Sequence, residues 1–69
     1  MAEVKGPARE VMSPEELAEY LGLGRTYTYK LLMTGEIPSF KIGKLRRVRR
    51  IDVDAYLEEQ VRSQARAKQ

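Results

Sequence analysis

The basic side chains of this 69-residue chain are concentrated in its central segment. Residues 24–50 contain eight lysine and arginine residues against one acidic residue, Glu36, which gives the segment a charge of +7. Residues 1–23 have two basic and five acidic side chains (−3), and residues 51–69 have three and four (−1). Charge of one sign gathered in one segment favours a polyanionic partner that is bound in a defined orientation. The chemistry predicted for these residues is therefore the neutralisation of a row of anionic groups.

The same sequence gives little support for catalysis. The chain lacks cysteine and histidine, so disulfides, thiolate metal sites and Cys or His nucleophiles are excluded. The candidate carboxylates are Glu15, Glu16, Glu19, Asp52 and Asp54. Each of them has a simpler role as a helix cap or a helix-surface charge, and Gly22-Leu-Gly24 lacks the strand and the spacing of a phosphate-binding loop. We predict no enzyme activity, no catalytic residue, no metal and no cofactor.

A helix that begins after Ser13 is the first element predicted to position the basic segment. Ser13 and Glu16 have the spacing of a capping box, in which each side chain binds the backbone N–H of the other residue. Pro14 occupies the first helical position, where no N–H is needed. Leu17, Ala18 and Leu21 then recur on one face. Gly22 is predicted to end the helix in the left-handed conformation.

A second helix is predicted from about Arg25 to Thr34, after a connection of two or three residues. Thr28, Leu31 and Leu32 form its inner face, and Gly35 follows its end. Two short helices joined in this way form a helix-turn-helix, whose second helix enters the major groove of DNA and brings its N-terminal residues to base edges. The residues predicted to face outward and bind DNA are Arg25, Thr26, Tyr27, Tyr29 and Lys30. The alternative is that the two tyrosines are partly buried in the core and that Arg25 and Lys30 are solvated surface charges.

The basic run of residues 41–50 is predicted to lie on a β-hairpin. Phe40 and Ile42 alternate with polar residues, which predicts a strand with one buried face. Gly43-Lys44 is the candidate turn, and Leu45 to Arg49 is the candidate return strand, with Val48 pointing inward. The DNA-binding residues predicted on this hairpin are Lys41, Gly43, Lys44, Arg46, Arg47 and Arg49. A nonspecific basic patch is the alternative function of the same side chains.

The remainder predicts a third helix and two polar ends. Asp52 is the candidate N-cap of a helix that carries Val53, Tyr56, Leu57 and Val61 on its apolar side. Residues 1–10 are predicted to form a flexible arm, and residues 62–69 a polar tail that frays. Residues 11–61 are therefore the predicted domain. Its fold class is mainly α with a small β-hairpin: a winged helix-turn-helix of three helices plus a two-stranded wing.

The order and spacing of these pieces resemble the excisionase-type helix-turn-helix domain, which is related to the MerR DNA-binding module. The segments that carry the resemblance are Ser13-Pro-Glu-Glu-Leu-Ala-Glu-Tyr-Leu-Gly-Leu23, Tyr29-Lys-Leu-Leu, Gly35-Glu-Ile-Pro38, Lys41-Ile-Gly-Lys44 and Asp52-Val-Asp-Ala-Tyr-Leu57. The resemblance implies that the second helix enters the major groove and that the wing reaches the neighbouring minor groove or backbone. Three positions depart from the family: Gly24 replaces a small hydroxyl residue, Arg46 an aromatic and Arg49 a frequent proline.

The resemblance also implies a function. Proteins of this kind bind repeated DNA sites cooperatively, bend the DNA and direct an integrase toward excision, so double-stranded DNA, an integrase and further copies of the chain are the expected partners. A small transcriptional regulator is the second hypothesis, and a basic protein-interaction module is the third. No apolar run approaches the roughly 20 residues of a membrane span, and residues 1–10 lack the apolar stretch of a signal peptide. We expect a cytoplasmic protein that is associated with the nucleoid when bound to DNA.

Overall fold

A computed structural model describes residues 10–67 of the chain. In chain order the elements of this part are β1 (Val11–Met12), α1 (Pro14–Leu21), α2 (Arg25–Met33), β2 (Phe40–Ile42), β3 (Leu45–Arg49) and α3 (Arg50–Ala67). A short turn separates α1 from α2, and β2 and β3 form an antiparallel hairpin. The predicted winged helix-turn-helix, with three helices and a hairpin wing, is confirmed.

The predicted start and end of α1 are both confirmed. The backbone N–H of Glu16 donates to Ser13 Oγ at 3.1 Å, and the backbone N–H of Ser13 donates to Glu16 Oε1 at 2.9 Å. At the other end Gly22 adopts φ 71°, a left-handed conformation that costs least for glycine. The chain can therefore reverse at once, and α2 begins only three residues later.

The core lies where the helices meet the inner face of β3. Its fully or almost fully buried apolar residues are Met12, Leu17, Leu31, Leu32, Ile37, Val48 and Val53. Thr28 is also buried, and its hydroxyl donates to the backbone carbonyl of Gly24 at 2.8 Å, so its polar group is satisfied. The inner face predicted for α2 and the inward position of Val48 are confirmed. This small core fixes the angle between α2 and the wing.

The sheet has a third strand that the sequence did not indicate. β1 pairs with β3 in antiparallel register, with Val11 opposite Arg49 and Met12 opposite Val48, which gives the strand order β1-β3-β2. The backbone N–H of Arg50 also donates to the carbonyl of Glu10 at 2.8 Å. Glu10 is thus held against the wing and does not belong to a flexible arm. The rest of the predicted arm, residues 1–9, lies outside the described residues.

The buried face predicted for the first wing strand is wrong. All three residues of β2 are exposed, with Phe40 at 38% and Ile42 at 58% of their surface. α1 and α3 pack mainly against β3, and the exposed β2 projects beyond the helices that could cover it. The alternation of residues in β2 therefore predicts which side chains lie on the same face of the strand. It does not predict burial, since neither face of β2 is buried.

The third helix begins earlier and ends later than predicted. It starts at Arg50, so Asp52 lies in its first turn and is not its N-cap. It continues to Ala67, through most of the segment predicted as a fraying tail; residues 68–69 lie outside the described part. Ion pairs at helical spacing join Arg62 to Glu58 and Glu59, each at 3.5 Å. Such pairs favour a helix that has no core to pack on.

The apolar side of α3 is narrower than predicted. Val53 is buried and Tyr56 packs partly against the core. Leu57 is 37% exposed and Val61 is 69% exposed, because the helix runs past the edge of the small domain. Only the first two turns of α3 therefore hold the fold together.

Candidate nucleic-acid interface

The outer face of α2 is formed by the five residues predicted to face outward. Arg25, Thr26, Tyr27, Tyr29 and Lys30 are all exposed, while Thr28, Leu31 and Leu32 anchor the opposite face. Tyr27 is 51% and Tyr29 is 36% exposed, so neither ring belongs to the core. Gly24 precedes the helix and provides no side-chain cap. The first backbone N–H groups of α2 thus have no side-chain acceptor and are suited to binding an anion.

The wing has two faces of different character. Lys41 is opposite Arg46 in the register of β2 and β3, and cross-strand partners point to the same side. Phe40 with Arg47 and Ile42 with Leu45 occupy the other side. The hairpin thus has one face of cations and one face that is largely apolar, and both are exposed near the tip.

Hydrogen bonds orient two of the wing arginines. Arg46 Nη1 donates to Ser39 Oγ at 2.6 Å, and Arg47 Nη1 donates to the backbone carbonyl of Arg46 at 2.8 Å. Both acceptors are uncharged, so each guanidinium keeps its full positive charge. These contacts reduce the freedom of long side chains that would otherwise have to be ordered on binding.

A cleft of about 360 Å³ lies between the wing and the two helices. Its lining residues are Pro14, Glu15, Tyr29, Lys41, Lys44, Leu45, Arg46 and Arg47. Tyr29 of α2 and four cations of the wing thus border one cleft, although they are far apart in the sequence. This cleft is the candidate site for an anionic ligand.

Glu15 is the unexpected member of this cleft. The Tyr29 hydroxyl donates to Glu15 Oε2 at 3.4 Å, a long bond between two exposed groups. The sequence indicated Glu15 only as an acidic residue of the first helical turn, where it favours the helix dipole. Its position beside the wing cations depends on how α1 packs against the wing, and no local pattern contains that information.

The comparisons with known proteins agree with this geometry. The model of a family described as "Helix-turn-helix domain" matches residues 11–61. The chain belongs to this helix-turn-helix family. A "Probable excisionase" of Saccharopolyspora erythraea is 46% identical over 61 residues, which cover 88% of this chain and 62% of that relative. The chain thus spans less than two thirds of the relative's length. No solved structure matches. The resemblance to excisionase-type domains is confirmed.

A salt bridge at the base of the wing joins the end of β3 to the first turn of α3. Arg49 donates from Nε and Nη2 to the two carboxylate oxygens of Asp52, at 2.8 and 3.0 Å. The hydrogen bond and the charge of Asp52 raise the pKa of Arg49. Of the basic residues predicted to bind DNA, Arg49 is thus the one whose charge is already neutralised by a paired carboxylate. The sequence shows that Arg49 and Asp52 are three residues apart, but it does not show that α3 begins at Arg50, which brings the two side chains together.

A second contact of the same kind joins α1 to α3. Tyr20 Oη donates to Asp54 Oδ1 at 2.8 Å, and Arg50 Nε lies 3.5 Å from Asp54 Oδ2. The hydrogen bond to Asp54, followed by partial burial, raises the pKa of Tyr20 above its usual value. Arg50, the first residue of α3, is thus paired within its own helix at the edge of the basic segment.

Residues 10–67 lack two further kinds of feature. No helix in this range is long and apolar enough to cross a bilayer. No group of three or more acidic side chains is placed where it could hold a metal ion.

Proposed function

We propose that this protein is a sequence-specific double-stranded DNA-binding protein that acts as an excisionase. The observation that supports the proposal is the one cleft that α2 and the cationic hairpin border together. In this assignment residues 11–61 form the DNA-binding domain, and residues 62–69 continue from it as a polar extension. The relevant compartment is the cytoplasm, with the protein on the nucleoid when it is bound.

Each surface has a separate task in this proposal. α2 lies in the major groove, where Arg25 binds a guanine edge with two hydrogen bonds and Thr26 contacts a base or phosphate. Tyr27, Tyr29 and Lys30 contact phosphates and sugars along the groove. On the wing, Lys41, Lys44, Arg46 and Arg47 bind phosphates, and Gly43 allows the tip to approach the groove closely. Arg49 contributes less than these residues, since Asp52 already binds its guanidinium.

The dimensions of the protein favour binding of several copies. The body measures 42 × 34 × 19 Å, so one copy covers about one helical turn of DNA, which is roughly 34–36 Å long. A module of this size buries roughly 600–1,000 Å² on DNA. Bending a site of 20–30 base pairs costs on the order of 1–6 kcal/mol. We therefore propose that copies bind repeated sites cooperatively, bend the DNA together and direct a site-specific integrase toward excision.

A gel-shift titration on duplexes with one, two or three copies of the preferred site tests this proposal. We expect binding per site to be tighter on the repeats than on one site, and expect the excision products of a partner integrase to increase when the protein is added. The matched control is Arg62→Ala, which removes an arginine from α3 outside the basic segment and should bind as the wild type does. Independent binding to every site, with no effect on integrase products, would refute the excisionase role.

The second candidate is a transcriptional regulator that uses the same DNA-binding face. The observation in its favour is that the helix-turn-helix geometry is the same for a promoter as for an attachment site. A promoter-fusion assay separates the two functions, because a regulator changes transcription without an integrase. The proposed interaction module differs again, since it predicts binding to an acidic protein and no preference among DNA sequences.

A further inference from the structure

The tip of the wing exposes a pair of large apolar side chains. Ile42 and Leu45 lie directly opposite each other across the Gly43-Lys44 turn, so both side chains point to the same side of the hairpin. Ile42 is 58% exposed and Leu45 is 56% exposed. Both side chains are more than half exposed, so packing against the helices does not account for the pair.

The charges around the pair indicate what it contacts. Lys41, Lys44, Arg46 and Arg47 are its neighbours along the two strands and the turn, and the described wing contains no acidic residue. A partner must therefore offer anionic groups at the rim of its surface and apolar surface between them. The minor groove of duplex DNA has this arrangement, since phosphates line both edges and deoxyribose rings form the walls. A second copy of the chain, which has a net charge of +3, is the less favoured partner.

The shape of the tip also fits a narrow groove. Gly43 has φ 63°, the left-handed conformation that allows a two-residue turn, and beyond its chain neighbours no heavy atom lies within 4 Å of where its Cβ would be. The turn is thus the thinnest part of the wing. The apolar pair is set immediately behind it.

We propose that Ile42 and Leu45 act as an apolar wedge that enters the minor groove, packs on the sugars and opens one base step. The proposal rests on the proposed function and adds to it the residues that produce the bend. Apolar side chains inserted in this way unstack a step and kink the duplex toward the major groove. The surrounding cations hold the two phosphate strands while the pair is inserted.

The test uses the DNA site selected by the full protein from a random pool. A duplex with 2-aminopurine at each step of the wing-side minor groove reports unstacking, and energy transfer between dyes at its two ends reports the bend. The variants are Ile42→Ala and Leu45→Ala, singly and together. The control is Ile51→Ala, which removes an equally exposed isoleucine (67%) from α3.

For the wild type and Ile51→Ala we expect a rise in 2-aminopurine fluorescence at one step and a shortened end-to-end distance. The double variant should lose both signals and bind on the order of tenfold more weakly, while its salt dependence stays unchanged because no phosphate contact is lost. All variants should have melting temperatures within a few degrees of the wild type, because the changed side chains are exposed.

The outcomes separate the wedge from the proposed function. If the double variant binds and bends DNA as the wild type does, the wedge is refuted and DNA binding stands. If the bend on a single site is unchanged and only cooperativity on repeats is lost, the pair contacts a second copy, and the wedge is again refuted. If the wild type binds no duplex even at low salt, the proposed function fails and the wedge with it.

Discussion

Arg47 and Arg49 allow a quantitative test of how the wing binds phosphates. Both lie in β3, two residues apart and on the same side of the strand. Arg47 donates to an uncharged backbone carbonyl, whereas Arg49 is paired through two hydrogen bonds with Asp52. The sequence predicted that both arginines bind DNA. The structure indicates that only Arg47 has an uncompensated charge to give to a phosphate.

The expected difference follows from counterion release. Each phosphate contact contributes about −0.9 to the slope of log affinity against log salt concentration, so one contact accounts for a loss of about 3.5-fold between 50 and 200 mM salt. Arg47→Ala should reduce the steepness of the slope by about one. Arg49→Ala should change it by less than half of that, because Arg49 is bound to Asp52 and makes no phosphate contact that the substitution could remove.

Asp52→Asn completes the comparison. It keeps the shape of the side chain but frees Arg49, so we expect a steeper slope and tighter binding than in the wild type. The pair is largely exposed on the arginine side (58%), and such pairs contribute little to stability, so the fold should persist. Fluorescence anisotropy at four or five salt concentrations measures all three variants. Equal losses of slope in Arg47→Ala and Arg49→Ala would show that the ion pair opens on DNA and that the reasoning is wrong.

Four further variants, one of them with a matched control, test α2, the cleft, the core and the Tyr20 hydrogen bond. Arg25→Ala should weaken binding to the preferred site by about 1–3 kcal/mol and relax base preference, which competition with single-base variants of the site would show; unchanged preference would remove Arg25 from base recognition. Glu15→Gln should tighten binding up to about threefold, because the repulsion between the Glu15 carboxylate and a DNA phosphate about 7 Å away in water costs about 0.6 kcal/mol. Its control is Glu19→Gln, an equal change of charge one turn along α1, which should have a smaller effect in the same anisotropy assay. Leu31→Ala should cost about 2–5 kcal/mol in urea unfolding, because Leu31 is 2% exposed, and a loss below 1 kcal/mol would contradict its place in the core. Tyr20 has a raised pKa in the folded state, so its contribution to stability is present below the ordinary tyrosine pKa and is lost as pH rises through the folded-state pKa. Tyr20→Phe should therefore flatten the fall in melting temperature at alkaline pH. A variant with the same pH profile as the wild type would disprove this linkage.

The sequence predicted the helix-turn-helix well because its signals are local. The capping box of Ser13 and Glu16 and the left-handed Gly22 are encoded within a few residues of the ends that they form. Helical spacing alone predicts the inner face of α2, and the residues that are not on that face must then point outward. The exposed positions of Arg25 and Lys30 could therefore be predicted without any tertiary information.

The parts that were missed or wrong depend on packing. β1 has only two residues, Val11 and Met12, and forms because β3 offers a free edge and the core offers a place for Met12. The exposure of Ile42 reflects how far the hairpin extends past the helices, and alternation in the sequence does not report that distance. α3 begins at Arg50 because β3 ends at Arg49, and this early start brings Asp52 next to Arg49. Glu15 entered the cleft for the same reason, through the angle between α1 and the wing.

The central claim is that α2 and the wing together recognise a particular DNA sequence. Its most direct test compares the affinity for a duplex selected from a random pool with the affinity for the same duplex with its sequence scrambled, at physiological salt concentration. The account predicts a preference of about a thousandfold for the selected duplex, in the range that specific DNA-binding proteins show. Equal affinity for both duplexes, with only the salt dependence of a basic surface, would contradict it.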